Sequence, residues 1–157
     1  MLYLLGMGNV LLKDDGAGVR VAEELMKREL PPGVAVLDVG TGILRMLPEL
    51  VKARKIVVVD AVRAGGEPGS VYHFGATEPK SMGTRSVHDI QFDEVLAHLR
   101  LLGCAPEVEY YGIEPREIVF SQELSAEVAS RVPLLADYLF DRVIAPLAAT
   151  PASSVAG

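Results

Sequence analysis

The chain has 157 residues, of which 50% are hydrophobic, and its formal net charge at pH 7 is −6. This length favours one domain with one core, and the hydrophobic fraction excludes a chain that is largely disordered. The excess of acidic residues argues against nucleic acid and anionic membranes as partners, because both are bound through basic patches.

The cysteine content and the first residues bear on the compartment. Cys104 is the only cysteine, so an internal disulfide is impossible and a reducing compartment is expected. The apolar segment from Leu2 to Leu5 has no basic region before it, and no apolar run reaches the ~20 residues that span a bilayer. We therefore predict a cytoplasmic protein without a signal peptide or a transmembrane helix.

Predicted strands and helices alternate along the chain. Apolar and β-branched runs predict the strands, and apolar residues at helical spacing predict the helices. The predicted elements are, in chain order, a strand at 2–5, a helix at 15–30, a strand at 34–37, a helix at 44–53, strands at 56–59 and 70–74, a helix from Ser86 to Gly103, a strand at 108–113 and a long helix that Ser125 caps.

This alternation favours an α/β fold, namely a three-layer α/β/α sandwich with a mostly parallel, twisted sheet of about five strands. We expect residues 1–149 to form this single domain. Residues 150–157 are small, and we expect them to form a flexible C-terminal tail.

Carboxylates follow three of the predicted strands. The β-branched run at 56–59 predicts a strand buried on both faces of a parallel sheet, and it ends abruptly at Asp60. Asp14 and Asp15 follow the first strand, and Asp38 follows the second. Ligands of open α/β sheets bind outside the carboxyl ends of the strands, so these residues indicate a site at that edge.

Each of these carboxylates also has an ordinary structural interpretation. Acidic residues such as Asp14 and Asp15 favour the N-terminus of a helix, and Asp60 suits a cap or a turn. Their convergence favours a site, because carboxylates brought together repel one another unless a cation or a proton intervenes. The Gly-rich stretch from Gly6 to Gly18, which contains the only asparagine, Asn9, strengthens this interpretation.

His88 is the histidine that we place at the same edge. It lies in the first turn of the helix that begins at Ser86, and Asp89 follows it. We assign structural or solvent-exposed positions to His73, in a predicted strand, and to His98, on the polar face of a helix.

Asp15, Asp60 and His88 together offer two carboxylates and one imidazole. This donor set suits Zn, Ni, Mn or Fe(II) with open coordination positions. The three positions are far apart in the sequence, so they do not form a short local metal motif.

Other catalytic motifs are absent from the sequence, which contains no Gly-x-Ser-x-Gly, His-Glu-x-x-His or P-loop. Cys104 would lie about 24 Å from His88 along one helix, so we exclude it as a nucleophile. The rival interpretation is a dinucleotide site, with the Gly-x-Gly after the first strand and Asp38 after the second. However, Leu11 occupies the position of the third glycine of that motif.

Four separated blocks of the sequence occur together in one known family. The blocks are Gly8-Asn9-x-Leu11-x-x-Asp14-Asp15-Gly16-x-Gly18, Asp38-x-Gly40-Thr41, Val58-Val59-Asp60-Ala61 and Ser86-Val87-His88-Asp89. They resemble the [NiFe]-hydrogenase maturation endopeptidases, in the same order, from Met1 to about Ala145. The resemblance implies an α/β sandwich and an endopeptidase that removes the C-terminal extension of a hydrogenase large-subunit precursor after nickel insertion.

The same resemblance implies roles for three residues. Asp15, Asp60 and His88 would be the catalytic residues and the ligands that recognise nickel, which the precursor would supply; some family members have Glu in place of Asp15. The implied mechanism is metal-gated peptide hydrolysis, in which either the metal activates the carbonyl or water, or a carboxylate acts as general base. The glycines at positions 16, 18, 40 and 42 would let a substrate strand approach the backbone closely. The alternative is a non-catalytic metal- or nucleotide-binding α/β module, and the oligomeric state stays open.

Overall fold

The computed structural model describes residues 1–75 and 87–149. Within these ranges five strands form one sheet in the order β2-β1-β3-β5-β4. The strands are β1 Leu2–Met7, β2 Val34–Gly40, β3 Lys55–Ala61, β4 Val71–Gly75 and β5 Glu107–Ile113. β4 pairs antiparallel with β5 at one edge, and the other neighbouring strands pair in parallel. The predicted α/β class and the mostly parallel sheet of about five strands are confirmed.

Helices cover both faces of this sheet. They are α1 Ala17–Met26, α2 Leu47–Leu50, α3 Val87–Leu101, α4 Ala126–Leu139 and α5 Ala145–Ala148, with 3-10 turns at Lys13–Gly16 and Ile43–Met46 and a π-helical turn at Phe140–Ile144. None of the helices in the described part of the chain is both long and apolar enough to cross a membrane.

Two predicted helices are shorter in the structure than expected. The helix predicted over 15–30 begins with a 3-10 turn and ends at Met26, before the Pro-Pro-Gly that follows it. The helix predicted over 44–53 is reduced to a 3-10 turn and the single turn of α2. Pro48 explains why α2 begins only at Leu47, because a residue without a backbone N–H fits only the first turn of an α-helix. The predicted Ser86 cap and the predicted tail at 150–157 lie outside the described residues.

The core consists of one apolar layer on each face of the sheet. α1 and α4 cover the face to which β3 contributes Val57 and Val59. α2 and α3 cover the other face, to which β3 contributes Ile56 and Val58. Each of these four side chains is at most 2% exposed, so the predicted strand with two buried faces is confirmed.

Helix α1 lies directly against β3, which carries Asp60 next to its last residue. A Cβ atom built on Gly18 would lie 2.0 Å from the carbonyl oxygen of Val59, so this position accepts only glycine at the observed spacing. Gly18 therefore serves the contact between helix and sheet, and the expected role in approaching a substrate strand is wrong for this residue. The close contact places the turn before α1 beside the carboxyl end of β3.

Candidate active site

The strand order places a crevice between the carboxyl ends of β1 and β3. β2 pairs with one edge of β1, and β3, the next strand along the chain, pairs with the opposite edge. A reversal of this kind is where open α/β sheets bind ligands, because the flanking connections run to opposite faces. The loop from Gly8 to Asp15 and the end of β3 at Asp60 therefore lie on either side of one crevice.

The loop after β1 is shaped by Gly8 and Asn9. Gly8 has a φ of 126°, and a Cβ atom there would lie 1.9 Å from the carbonyl oxygen of Asp15. The backbone N–H of Asn9 donates a 2.9 Å hydrogen bond to Oδ2 of Asp15, and the side-chain Oδ1 of Asn9 accepts one from the N–H of Leu11. The only asparagine of the chain thus helps to hold the backbone that presents Asp15.

His88 contacts Asp15 across 73 residues of sequence. Nε2 of His88 lies 3.3 Å from Oδ2 of Asp15, and the side chains are 12% and 14% exposed. This hydrogen bond raises the pKa of His88 against the opposing effect of burial, and the nearby charge of Asp60 adds to the increase. Burial raises the pKa of Asp15, but the hydrogen bonds from His88 and Asn9 outweigh it and keep the pKa below its ordinary value.

Asp60 is the buried member of the group. It is 6% exposed, and its Oδ1 accepts a 2.8 Å hydrogen bond from the N–H of Ala61. Burial raises the pKa of Asp60 to about 7, although the neighbouring His88 lowers it; the negative charges of Asp15 and Asp89 act in the same direction as burial. Asp60 also lines a cavity of about 10 Å³, which has room for about one water molecule.

The three predicted residues therefore lie at one edge of the sheet, as a contacting pair and a buried neighbour. Two carboxylates and an imidazole fit a divalent transition metal by their chemistry. Across residues 1–75 and 87–149, no three side chains of His, Cys, Asp or Glu are grouped closely enough to hold a metal ion as they stand. A metal shared by all three would require Asp15 and His88 to exchange their mutual hydrogen bond for metal contacts.

The other candidate residues have different surroundings. Asp38 is exposed on β2, opposite Gly6 in the ladder with β1. His73 stacks on Tyr111 with ring centroids 4.3 Å apart, and His98 contacts a backbone carbonyl within its own helix. Both histidines thus have the structural surroundings that the sequence analysis assigned to them.

Asp14 is the residue whose role the sequence analysis missed. It is fully buried, and its carboxylate accepts hydrogen bonds of 2.8–3.1 Å from the backbone N–H groups of Arg116, Glu117 and Ser125 and from the Ser125 hydroxyl. Ser125 occupies the predicted N-cap position of α4, but its hydroxyl donates to Asp14 and its side chain makes no hydrogen bond to the helix. These partners lie 102–111 residues from Asp14, so no local pattern could have revealed them.

The chain matches the family model for the hydrogenase maturation protease over residues 19–142. It is 38% identical over 122 residues to the hydrogenase expression/formation protein HupD of Rhodobacter capsulatus, covering 74% of this chain and 58% of that protein. It is 35% identical to HupD of Bradyrhizobium diazoefficiens, covering 74% of this chain and 64% of that protein. The chain thus spans about three fifths of the length of these relatives.

Solved structures of the same kind superimpose on most of the chain. The hydrogenase maturating endopeptidase HybD from Escherichia coli matches with a TM-score of 0.81 and 26% identity, over 91% of this chain and 94% of that chain. The [NiFe] hydrogenase maturation protease HybD from Thermococcus kodakarensis matches with a TM-score of 0.74 and 31% identity, over 89% of this chain and 97% of that chain. This chain belongs to the hydrogenase maturation protease family.

Proposed function

We propose that the protein is an endopeptidase that removes the C-terminal extension of a [NiFe]-hydrogenase large-subunit precursor. Membership of the family supports this activity. The observation that carries it is the convergence of Asp15, Asp60 and His88 on one crevice, because peptide hydrolysis needs an electrophile or cation site beside a group that can accept a proton. We further propose that it acts in the cytoplasm, from the argument on the single Cys104.

We propose that the substrate brings the nickel, so that cleavage depends on prior loading of the precursor with metal. Asp15, Asp60 and His88 would bind the nickel from the protease side, and their oxygen and nitrogen donors suit this ion. His88 must be neutral to bind a metal, so the hydrogen bond from Asp15, which raises the pKa of His88, would make nickel binding weaker as the pH falls. A bound nickel ion would polarise the scissile carbonyl.

We assign the general base to Asp60, a role that it can play only while Asp15 and His88 alone hold the nickel, because a carboxylate bound to nickel no longer accepts a proton. A general base works best when its pKa is close to the working pH, and burial raises the pKa of Asp60 to about 7. The hydrogen bond from the N–H of Ala61 fixes one of its oxygens. Asp15 has a pKa below its ordinary value and stays ionised, so it serves as a charge partner for His88 or the metal.

The test is cleavage of purified precursor, loaded with nickel or free of metal, followed by mass spectrometry of the large subunit. We expect shortening of the loaded precursor alone, and a rate loss of about 1,000-fold or more, ~4 kcal/mol, for Asp15→Asn and Asp60→Asn. Asp141→Asn, which changes an exposed acid near the end of the chain's last long helix, is the matched control and should cleave normally.

Each result separates the possibilities. If the wild-type protein binds the loaded precursor but leaves it uncut, the non-catalytic metal-binding module is correct and the proposal fails. If loaded and metal-free precursors are cut equally, nickel gating is wrong. If either Asn variant cleaves normally, that carboxylate has only a structural role, since Asn caps helices about as well as Asp does.

A further inference from the structure

Two loops at the crevice are joined into one platform, which consists of residues 9–16 and 114–125. Leu12 and Ser121 form a parallel β-bridge. The N–H of Ser121 donates a 3.0 Å hydrogen bond to the carbonyl of Leu11, and the N–H of Lys13 donates a 2.8 Å bond to the carbonyl of Ser121. The buried carboxylate of Asp14 accepts four hydrogen bonds from the loop at 114–125 and so fixes this loop against residues 9–16.

An apolar ridge, Leu11 and Phe120, lies on this platform. Each residue precedes one partner of the Leu12–Ser121 bridge, so the two residues belong to backbone segments that are neighbours in space. Phe120 is 89% exposed and Leu11 is 48% exposed. The backbone hydrogen bonds between Leu11, Lys13 and Ser121 fix the backbone beside the ridge in advance, so little conformational entropy is lost there when a partner binds.

The ridge is continuous with the candidate active site. The N–H of Leu11 donates to Oδ1 of Asn9, and the N–H of Asn9 donates to Oδ2 of Asp15, each at 2.9 Å. The same oxygen of Asp15 lies 3.3 Å from Nε2 of His88. Two hydrogen bonds therefore connect Leu11 to the pair of Asp15 and His88, so the ridge lies beside the crevice that holds this pair.

We propose that the Leu11–Phe120 ridge is the docking surface for an apolar patch on the protein substrate, and that it selects which precursor is bound. The inference rests on the proposed function, since it takes the precursor as the occupant. Exposed aromatic side chains on a rigid backbone are typical binding hot spots. The ridge contributes to binding, whereas hydrolysis belongs to Asp15, Asp60 and His88, so its loss should change KM and leave kcat unchanged.

The experiment measures KM and kcat for nickel-loaded precursor with Phe120→Ser, Leu11→Ser and the double variant. The control is Leu101→Ser, which removes an 85% exposed leucine at the end of α3 remote from His88, about 20 Å along the helix. We expect KM to rise at least 10-fold for Phe120→Ser, less for Leu11→Ser and most for the double variant, with kcat within 2-fold. Leu101→Ser should match the wild type, and all variants should have wild-type melting temperatures.

A second measurement does not depend on cleavage. The affinity for loaded precursor is determined in the Asp60→Asn background, with and without Phe120→Ser, and we expect at least a 10-fold weaker complex with the serine. A wild-type protein that leaves the precursor uncut contradicts the proposed function, and this binding measurement then still tests the ridge.

Three results would overturn the inference. The first is an unchanged KM and affinity for the double variant, and the second is an equal loss for Leu101→Ser, which would reflect general surface hydrophobicity. The third is a wild-type dimer that Phe120→Ser converts to a monomer without a change in KM, because a second copy of the chain would then cover the ridge.

Discussion

Two buried aspartates at the same edge of the sheet have opposite surroundings. Asp14 is fully buried, and four hydrogen-bond donors satisfy its carboxylate. Asp60 is 6% exposed, and burial raises its pKa to about 7; the negative charge of Asp15 acts in the same direction, and the hydrogen bond from Ala61 opposes it. Burial by itself therefore does not mark a functional carboxylate. The balance of donors and neighbouring charges distinguishes a structural anchor from a group poised to exchange a proton.

The largest expected effect on stability is that of Asp14→Asn. The amide replaces one acceptor oxygen with a donor that faces N–H or O–H groups, so buried donors lose their partner. We expect the free energy of unfolding to fall by about 3 kcal/mol, measured by urea denaturation. The exposed Asp141→Asn should stay within about 0.5 kcal/mol of the wild type. A decrease of less than about 1 kcal/mol in the free energy of unfolding of Asp14→Asn would contradict a structural role for Asp14.

Asp60→Asn should have the opposite effect on stability at neutral and alkaline pH. The pKa of Asp60 is about 7 in the folded state and about 4 in the unfolded state, so the folded state binds more protons between these values. The contribution of Asp60 to stability therefore falls as the pH rises from about 4 to 7, by at most about 4 kcal/mol. We expect Asp60→Asn to be about 2 kcal/mol more stable than the wild type at pH 8, with no gain at pH 4.

Thermal denaturation of the wild type and of Asp60→Asn between pH 4 and pH 8 checks the sign of this difference in stability. Asp15 acts in the other direction, because its pKa is lower in the folded state. Its contribution therefore stabilises the folded state above about pH 4 and is lost only in more acidic solution. His88, with its raised pKa, stabilises the folded state below about pH 6.5 and loses this contribution as the pH rises through its folded pKa. A wild-type curve that rises steadily from pH 4 to 7 would contradict the assignment for Asp60.

Metal binding by the isolated protein should be a smaller effect, and it tests the third residue of the site. We expect weak binding of Ni²⁺ and at least a 10-fold loss of affinity for His88→Ala, by calorimetry, since a three-ligand site with open positions binds weakly. His73→Ala, which removes an exposed histidine on β4, is the control and should bind as the wild type does. Equal binding by wild type and His88→Ala would remove His88 from the metal site.

The smallest effect should come from Cys104→Ala. Cys104 follows the end of α3 that is remote from His88, and its thiol contacts the carbonyl of Val51. We expect processing of the precursor to be unchanged in the variant and in the presence of thiol-alkylating reagents. A loss of activity on alkylation of the wild type that Cys104→Ala prevents would require a role for this residue that the fold does not suggest.

Sequence patterns determined much of the fold and predicted the edge of the sheet at which the candidate site lies. The β-branched run at 56–59 predicts a doubly buried strand, and the polar residues after it and after β1 predict a site at the carboxyl edge. These inferences depend on local periodicity and on the geometry of parallel strands, both of which are properties of short segments. The resemblance of four blocks to the family added the assignment of Asp15, Asp60 and His88, which the structure brings to one edge.

Only the tertiary structure decided which of the two adjacent acids, Asp14 and Asp15, is the anchor. Both look alike in sequence, but the 3-10 turn directs one to donors more than 100 residues away and the other to His88. The same holds for the platform that carries Phe120, since the pairing of Ser121 with Leu11 and Leu12 joins loops that are remote in the chain. Contacts of this kind depend on the positions of whole elements, because a hydrogen bond between distant loops has no signature in either loop alone.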